Sequence, residues 1–441
     1  MKKVLTYGTF DLFHEGHYNL LKRAKNQGEY LIVGVTTENY DKTRGKLNVQ
    51  DSLMKRIEAV KATKLADEII IEEFEGQKIQ DILKYNIDKF VIGSDWRGKF
   101  DYLKEYCDVI YLERTKGISS TDLRAKKNNI LKLGIVGCGR IANRFIPESK
   151  YVSGINVEGV FSLNEAKTKI FQEKFELEFM EINYDKFLEK VDAVYIASPH
   201  KTHFEYAKKA LESGKHVLCE KPITMELKKA KELYDIAFKN GLVLLEAIKT
   251  AFSPGFIHLI NIAKSGIIGE IKDIDATFTK LSVGNLRELD KNQDGGSVTE
   301  LGTYPLLAII KLLGKPKDIK FYSYKKDEID LYTRIFLEYP NAIASAKVGL
   351  GVKSEGELII SGTKGYIYVP APWWKTEYFE VRFENQSFNK KYFYKFEEDG
   401  LRYEISEFLE LINRNSIETY KLTSKESLII CEIIEKFREQ F

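Results

Sequence analysis

Gly8-Thr9-Phe10-Asp11-Leu12-Phe13-His14-Glu15-Gly16-His17 is the stretch that decides the first fold, because it joins a short apolar strand to an amphipathic helix. Residues three apart share one face of a helix, so His14 and His17 are expected to point the same way. Backbone N–H groups at a helix N-terminus attract anions. The pattern therefore predicts two imidazoles on the phosphate oxygens of a nucleotide undergoing transfer. The alternative is a pair of surface histidines, although Gly16 is a poor helix former and packing does not explain it.

Two further segments extend this pattern. The segment Arg114-Thr115-Lys116-Gly117-Ile118-Ser119-Ser120-Thr121 combines a cation, a glycine and hydroxyls where another helix should begin, which predicts a second phosphate clamp. The segment Val91–Phe100 lies between the two clamps in the sequence and carries Asp95 and Trp96. With these motifs, residues 1–126 resemble the glycerol-3-phosphate cytidylyltransferase family. Ser120 is a departure, since the family more often has threonine there, but the hydroxyl is kept.

The resemblance implies attack by a phosphate monoester on the α-phosphorus of CTP, with pyrophosphate as the leaving group and Mg²⁺ on the phosphates. It assigns His14 and His17 to stabilising the transition state, and Asp11 to the neighbourhood of the metal or of the phosphates. Lys46 and Arg56 would hold the incoming phosphate, with a solvated charged loop as the alternative. Trp96 would contact the cytosine base, or else pack in the core. The implied CTP contacts are Thr9, Phe10, Asp11, Gly16, Asp95, Trp96, Arg114, Ser119, Ser120 and Thr121.

A second complete pattern follows the polar hinge Lys126–Asn129. The apolar run Ile130–Val136 predicts a buried parallel strand. It leads into Gly137-Cys138-Gly139-Arg140-Ile141-Ala142, and a further predicted strand, Val157–Phe161, completes the context of a dinucleotide-binding fingerprint. Gly137 would permit the tight turn and Gly139 the approach of the pyrophosphate. The expected cofactor contacts are Gly137, Gly139, Arg140, Ile141, Ser162, Asn164, Ser198, Pro199, His203 and Glu220.

The end of the second strand bears on which nicotinamide cofactor is used. An NAD site usually places a carboxylate there, but the segment Phe161–Asn164 has none. Ser162, Asn164 or the nearby Lys167 would accept a 2′-phosphate, which favours NADPH over NADH. The alternative is that Ser162 is an ordinary loop residue.

A third motif is Glu220-Lys221-Pro222, which follows the apolar strand of the stretch Gly214–Pro222. With the stretch Val194–His203 before it, the segment resembles the glucose-fructose oxidoreductase and inositol dehydrogenase superfamily. The resemblance implies that Lys221 is the catalytic lysine, an ammonium that polarises a carbonyl or moves a proton. A surface lysine is the alternative.

The superfamily's second signature resembles the stretch Gly295–Pro305. Many relatives have Asp and His there, whereas this chain has Glu300 and Tyr304. In the branch with tyrosine, that residue is the implied acid; a packed tyrosine is the alternative. Lys249 is a further candidate for meeting a substrate phosphate.

The expected architecture is α/β. A Rossmann-like nucleotidyltransferase domain (1–126) and a linker (127–129) precede a dinucleotide-binding Rossmann domain (130–250). An α+β domain on an open antiparallel sheet (251–441) would follow. The superfamily implies a dimer or tetramer through that sheet, and the helix expected at Ser424–Phe441 should return to the Rossmann domain.

Composition limits the partners. The 441 residues include 68 basic and 65 acidic ones, and the net charge of +3 favours neither nucleic acid nor a membrane surface. The four cysteines lack metal-ligand spacing, and no signal peptide or membrane span is expected, so the chain is predicted to be cytoplasmic. Small anionic molecules, CTP and a sugar or alditol phosphate, are the expected partners.

Joining the two patterns predicts a bifunctional enzyme. NADPH would reduce a sugar phosphate, with fructose 6-phosphate or ribulose 5-phosphate as candidates, to an alditol phosphate. Cytidylyl transfer would then make a CDP-alditol, a donor for surface or capsule polysaccharide. One alternative puts cytidylyl transfer first and reduces the CDP-linked sugar. Another makes the C-terminal part a binding or dimerisation module without turnover.

Overall fold

The computed structural model describes residues 1–46, 49–113, 130–284 and 286–440. The chain divides into two compact units. The first contains residues 1–132 with 145–157 and 173–176, and the second contains 133–144, 158–172 and 177–441.

The first sheet is parallel and is covered on both faces. Its strands are Lys3–Gly8 (β1), Tyr30–Thr36 (β2), Glu68–Glu72 (β3), Lys89–Gly93 (β4) and Asp108–Leu112 (β5). Its helices are Glu15–Lys25, Glu38–Thr43, Leu53–Ala62 and Gln77–Tyr85. Val4 and Leu5 enter different apolar clusters because successive side chains of a strand point to opposite faces. The strand order β3-β2-β1-β4-β5 reverses between β1 and β4, and ligands of such sheets bind outside the carboxyl ends at that reversal.

The second sheet has the strand order of a dinucleotide-binding fold, β11-β10-β9-β6-β7-β8. Its strands are Leu131–Val136 (β6), Ile155–Phe161 (β7), Phe179–Glu181 (β8), Ala193–Ile196 (β9), His216–Glu220 (β10) and Leu244–Ala247 (β11). Its helices are Arg140–Ser149, Glu165–Phe175, Tyr184–Leu188, His203–Glu212 and Leu227–Asn240. The reversal of order lies between β6 and β9, so the loops after these two strands border the expected cofactor crevice.

The third sheet has eight strands in the order β13-β14-β15-β12-β16-β17-β18-β19. They are Ile271–Thr279 (β12), Asp318–Lys326 (β13), Ile329–Glu338 (β14), Ile343–Gly349 (β15), Leu358–Gly362 (β16), Tyr366–Val369 (β17), Tyr378–Arg382 (β18) and Lys390–Phe393 (β19). The sheet is mixed, because β12 pairs with β15 in parallel while its other pairs are antiparallel. The expected antiparallel sheet is wrong at this one pair, since alternation along a strand does not specify its neighbour.

The remaining helices belong to the same part of the chain as the third sheet. They are Pro254–Lys264, Ser297–Leu301, Thr303–Leu313, Leu401–Asn413 and Ser424–Glu439. The last of these begins with a capping box, in which Thr423 and Glu426 satisfy each other's backbone N–H groups. Its Cys431 belongs to the apolar core of the second sheet, where the C-terminal helix was expected to pack. Among the described residues, none of the helices combines the length and apolar character needed to cross a membrane.

Candidate active sites

The turn that follows β1 has an unusual backbone conformation, which sets the direction of the helix after it. Phe10 and Leu12 have φ values of 53° and 45°, in the left-handed region that costs about 1 to 2 kcal/mol for a residue with a side chain. The Phe10 ring is buried in the core, and a Cβ at Gly8 would lie 2.9 Å from it. The buried ring thus stabilises the turn in this conformation. His14 is the N-cap residue of the helix that follows.

The two histidines of the motif are held in one defined arrangement. The Nδ1 atom of His14 accepts a hydrogen bond from the Gly16 amide at 3.1 Å, and His17 Nδ1 accepts one from the His14 amide at 3.4 Å. The rings stack with centroids 3.9 Å apart. Since Nδ1 is the acceptor in each ring, the neutral imidazoles are assigned the tautomer with hydrogen on Nε2. Both can then offer an Nε2–H donor to an oxyanion.

A cationic group lies beside the same turn. Arg44 Nη2 donates to the Thr9 hydroxyl at 2.9 Å and to the buried carboxylate of Asp41 at 2.8 Å. Asp41 also accepts from the hydroxyls of Thr9 and Thr36. Burial and the neighbouring Arg44 lower the pKa of Lys46 to about 8. Arg44 and Lys46 therefore supply positive charge where a phosphate would approach.

Asp11 is bonded to the backbone of a loop that follows it in the sequence. Its carboxylate accepts hydrogen bonds from the backbone amides of Gln50, at 3.1 and 3.0 Å, and of Asp51, at 2.7 Å. Both oxygens thus accept hydrogen bonds from N–H donors of the loop. Within the described residues, no group of three or more His, Cys, Asp or Glu side chains is placed to hold a metal ion. Asp11 anchors the loop around residues 49–51.

Arg56 is a buried structural cation rather than a surface phosphate ligand. Its Nη1 donates to the carbonyls of Thr9 and Thr36, both at 2.8 Å, and its Nε donates to the Asp51 carbonyl at 3.0 Å. The residue is 1% exposed, so an incoming phosphate does not reach it without opening the core. The expectation of a phosphate contact for Arg56 is not supported, because its guanidinium ties together the ends of β1 and β2.

A buried polar cluster borders this region on the other face of the first sheet. The Tyr7 hydroxyl donates to Asp81 at 2.5 Å, and the Gln77 side-chain amide donates to the same carboxylate at 3.0 Å. Lys78 is paired with Glu72, and burial lowers the pKa of its amine. The Glu72 Oε2 atom is buried and has no hydrogen-bond partner in the part of the chain that the structure describes. All of these side chains are buried, so their bonds hold this part of the first unit together.

The remaining CTP contacts divide between placed residues and residues outside the described part. Asp95 and Trp96 lie in a single helical turn, Ser94–Trp96, directly after β4. They therefore border the same strand reversal as the histidine motif. Gly16 lies in the first turn of the helix, with its amide on His14. The contacts that lie outside the described residues are Arg114, Ser119, Ser120 and Thr121.

The glycine turn after β6 fits a dinucleotide. Gly137 has a φ of 105°, and a Cβ there would lie 2.8 Å from the Ala197 carbonyl oxygen. At Gly139 the nearest atom to a Cβ is that same oxygen at 3.8 Å, so space is open beside the turn. Arg140 begins the following helix and Ile141 is its second residue. The turn thus leaves its backbone accessible at the helix N-terminus, where a pyrophosphate would bind.

The strand end where a ribose is expected carries polar groups. Ser162 follows β7 and accepts a hydrogen bond from the Asn164 amide at 3.4 Å. Asn164 is exposed, and its side-chain oxygen accepts from the Lys167 amide at 3.0 Å. Pro199 is exposed in the loop after β9, and the Ser198 hydroxyl accepts from Thr202. Ser162, Asn164 and Lys167, which the sequence suggested for a 2′-phosphate, therefore lie together after the end of β7.

His203 links two loops instead of presenting its ring to a cofactor. Its Nδ1 lies 3.0 Å from the Pro222 carbonyl oxygen, and its Nε2 lies 3.0 Å from the Ser198 carbonyl oxygen. The side chain is fully buried, and burial lowers the pKa of the imidazole to about 4. The expected cofactor contact is thus not supported for the ring, which holds the Ser198 loop to the Pro222 loop.

Lys221 and Tyr304 come together at the end of β10. Lys221 Nζ donates to the Glu300 carbonyl at 2.8 Å and lies 5.7 Å from the centroid of the Tyr304 ring. Burial, with nearby carboxylates such as Glu220, raises the pKa of Tyr304 well above its ordinary value. A phenol that stays protonated at neutral pH can give a proton to a carbonyl oxygen that gains charge during reduction.

Further polar side chains lie around this pair. Arg287 Nη2 contacts the Glu300 carboxylate at 2.8 and 3.0 Å, and the buried His200 lies 3.8 Å from it. Glu220 accepts a hydrogen bond from the Tyr195 hydroxyl at 2.6 Å, and burial raises the pKa of its carboxyl. Lys249 is half-buried at the start of a helical turn after β11, Lys249–Phe252.

Several site residues were missed by sequence reasoning. Arg44 is one of three cations in the segment Lys42-Thr43-Arg44-Gly45-Lys46, and nothing in the sequence singles it out. Arg287 lies in a segment without a motif. His200 was read only as part of the stretch after β9. Glu246 is a buried acidic residue inside the apolar strand β11, and that contrast is a signal that could have singled it out.

The folds and sites define a two-part enzyme, with a nucleotidyltransferase domain followed by an NAD(P)-binding oxidoreductase domain. A family model described as cytidylyltransferase-like matches residues 5–126. A model of the oxidoreductase family with an NAD-binding Rossmann fold matches residues 131–247, and a GFO/IDH/MocA C-terminal domain model matches residues 256–368. The chain therefore belongs to the cytidylyltransferase-like family in its N-terminal part and to the GFO/IDH/MocA oxidoreductase family in the rest.

Individual relatives agree with this division. The N-terminal part is 55% identical over 124 residues to glycerol-3-phosphate cytidylyltransferase from Bacillus spizizenii, an alignment that covers 28% of this chain and 95% of the relative. The remainder is 27% identical over 322 residues to scyllo-inositol 2-dehydrogenase (NADP(+)) from Bacillus subtilis, covering 70% and 97%. A structure of a 3-ketoreductase from Actinomadura kijaniata, in complex with TDP-benzene and NADP, has a TM-score of 0.62 at 25% identity and covers 70% and 98%.

Proposed function

We propose that the chain converts a sugar phosphate to a CDP-alditol in two steps. Residues 130–441 reduce a ketose or aldose phosphate to an alditol phosphate, and residues 1–126 transfer the cytidylyl group to that product. The observation that carries the proposal is the presence of two complete reacting groups in one chain, the stacked His14 and His17 pair and the Lys221 and Tyr304 pair. The product of a carbonyl reduction is the kind of polyol phosphate that a cytidylyltransferase of this family would take.

In the transfer step, a phosphate oxygen of the alditol phosphate forms a bond to the α-phosphorus of CTP, and the bond to pyrophosphate breaks. The Nε2–H donors of His14 and His17 stabilise negative charge on the transferring phosphate. Arg44 and Lys46 bind the incoming phosphate monoester.

In the reduction step, a nicotinamide cofactor held by the glycine turn at Gly137 and Gly139 would supply the hydride that the carbonyl carbon accepts. Lys221 orients the carbonyl oxygen, and the protonated Tyr304 gives that oxygen its proton. Arg287 and Glu300 fix the position of the Lys221 ammonium through the Glu300 carbonyl. Lys249 is the candidate for binding the substrate phosphate.

NADPH is the proposed cofactor. The strand end at Ser162 carries no carboxylate to repel a 2′-phosphate, and Asn164 and Lys167 lie beside it. The relative from Bacillus subtilis is named for NADP(+), and the structural neighbour holds NADP.

The test is NADPH oxidation, followed by absorbance, over a panel of ketose and aldose phosphates with CTP first omitted and then added. Oxidation without CTP, followed by pyrophosphate release and a CDP-alditol mass when CTP is added, is the expected result. Lys221→Ala should abolish NADPH oxidation but leave pyrophosphate release from CTP and a supplied alditol phosphate unchanged. His14→Asn should do the reverse. Loss of both activities in either variant would contradict two separate sites.

A second candidate is reduction of a CDP-linked sugar after cytidylyl transfer. It is favoured by 33% identity over 198 residues to a dTDP-3,4-didehydro-2,6-dideoxy-alpha-D-glucose 3-reductase from Actinomadura kijaniata, although that match covers only 58% of the relative. Oxidation that requires CTP would select this order. No oxidation with any substrate would favour a C-terminal part that binds without turnover.

A further inference from the structure

Glu246 is a buried carboxyl group that the proposed reaction does not use. It lies in β11, where all four residues are buried, and it is 1% exposed. Placing a carboxyl group among apolar side chains is costly unless a specific partner compensates. One such partner is present, because Glu246 Oε1 accepts a hydrogen bond from the Ile223 amide at 2.9 Å.

The Ile223 amide lies two residues after Lys221, so its contact with Glu246 bears on the candidate catalytic lysine. Ile223 follows Lys221 and Pro222 directly, so contacts along this short segment bear on the position of Lys221. Lys221 Nζ donates to the Glu300 carbonyl, the Pro222 carbonyl faces His203, and the Ile223 amide donates to Glu246. The Lys221 amide also donates to Glu220 Oε2, at 3.3 Å, so the 2.9 Å bond from the Ile223 amide to Glu246 is the shorter of these two backbone contacts.

The second carboxylate oxygen has no comparable contact. Glu246 Oε2 is buried and makes no hydrogen bond of normal geometry within the described ranges, although the Ser427 hydroxyl faces the carboxyl closely enough to lower its pKa. The Ser427 hydroxyl, the Ile223 amide and the Lys221 ammonium each lower the pKa of Glu246. The opposing effect of burial is larger and raises this pKa to about 7. The titratable and polar groups facing it are Cys219, Glu220 and Lys221 on or next to β10, Tyr234 on the helix Leu227–Asn240, and Ser427 and Cys431 on the C-terminal helix.

We propose that Glu246 is a positioning residue for Lys221, which it orients by holding the Ile223 amide more tightly when its carboxyl is ionised. A carboxylate accepts a shorter and stronger hydrogen bond than a neutral acid does. As the pH rises through the ionisation of Glu246, the segment is fixed and reduction becomes faster. The inference rests on the proposed role of Lys221 in reduction.

The kinetic test compares Glu246→Gln with Glu246→Leu in the full-length chain. Leucine removes the acceptor, so kcat for NADPH oxidation should fall at least tenfold while KM for the sugar phosphate stays within threefold. Glutamine keeps an acceptor without a charge, so kcat should stay within threefold of the wild-type value at pH 6 and lose the rise between pH 6 and 8. Ser427→Ala should move that rise to higher pH, because the hydroxyl that lowers the pKa is gone.

A second buried carboxyl serves as the matched control. Burial raises the pKa of Asp330 to about 6, and its carboxylate accepts from the Val298 amide rather than from the Lys221 segment. Asp330→Asn should leave the rise near pH 7 in place. A wild-type rise that vanishes in Asp330→Asn and persists in Glu246→Gln would overturn the assignment. So would a Glu246→Leu enzyme whose kcat and pH profile lie within twofold of wild type.

Hydrogen exchange separates this inference from the proposed function. The Ile223 amide of the NADPH complex should exchange more slowly at pH 8 than its intrinsic rate predicts, and at least tenfold faster in Glu246→Gln. That result supports positioning even if no sugar phosphate is reduced, in which case the proposed function alone has failed. Equal protection of the amide in both proteins would overturn the inference. If Glu246→Leu does not fold, the exchange and pH profile of Glu246→Gln decide.

Discussion

The two glycines of the fingerprint should fail in different ways when each is changed to alanine. At Gly137 the φ of 105° disfavours any side chain, and the new Cβ would lie 2.8 Å from the Ala197 carbonyl oxygen. The strain costs about 1 to 2 kcal/mol. The backbone shift needed to relieve the contact costs about 1 to 3 kcal/mol more. Gly137→Ala should therefore destabilise its part of the chain by roughly 2 to 5 kcal/mol.

Gly139→Ala is the matched control, because its Cβ would meet only the same carbonyl oxygen at 3.8 Å, an ordinary contact. This variant should keep the wild-type melting temperature within about 1 °C, but it should bind NADPH at least tenfold more weakly, since the methyl group occupies space needed by the pyrophosphate. For Gly137→Ala, the cost above corresponds to a fall of about 5 to 15 °C.

Thermal unfolding without ligand and NADPH binding by fluorescence titration measure the two effects. Pyrophosphate release from CTP and an alditol phosphate reports whether the N-terminal domain is intact in each variant. An equal loss of melting temperature in both variants would refute the reasoning from Cβ contacts. A Gly137→Ala protein that melts within 2 °C of wild type would refute it as well.

Three further predictions concern the cytidylyltransferase domain. His14→Asn keeps a side chain that caps the helix but lacks the Nε2–H donor, so pyrophosphate release should fall at least a hundredfold with little change in thermal stability; an active variant would contradict the role of His14. Lys46 loses its charge as the pH rises through about 8, so KM for the alditol phosphate should rise above pH 8 in wild type and stay flat to pH 9 in Lys46→Arg. Arg56→Met should lower thermal stability by removing the bonds to Thr9 and Thr36, while KM for the alditol phosphate in the folded fraction stays within threefold; a selective rise in KM would restore the phosphate role.

Most of the fold could be predicted from local patterns. A short apolar strand was expected before the histidine motif and is present as β1, and the glycine turn between a strand and a helix identified the dinucleotide fold. Such features depend on residues close in sequence, so they can be read from periodicity and turn chemistry. The parallel pairing of β12 with β15 could not be predicted in this way. The alternation of apolar and polar residues along a strand specifies which face is buried, but not which strand is its neighbour.

The same distinction between local pattern and tertiary packing applies to the site residues. Arg56 and His203 carry residue types that suit ligand binding, and only burial and their carbonyl partners show that both hold the backbone instead. Glu246 was passed over because an acidic residue in an apolar strand has no local meaning without the Ile223 amide. Polar side chains of one type can serve either role, and the tertiary environment selects between them.

The sequence by itself determined the two kinds of chemistry in this protein, because the histidine motif, the glycine fingerprint and the Glu220-Lys221-Pro222 segment are each contiguous and carry their own backbone geometry. The tertiary structure alone decided which groups act together. Lys221 meets the Glu300 carbonyl across 79 positions of sequence, and the same packing brings the Tyr304 ring beside it. Burial then sets whether these groups carry charge, since the cost of removing an ion from water depends on everything packed around it and not on its neighbours in the chain.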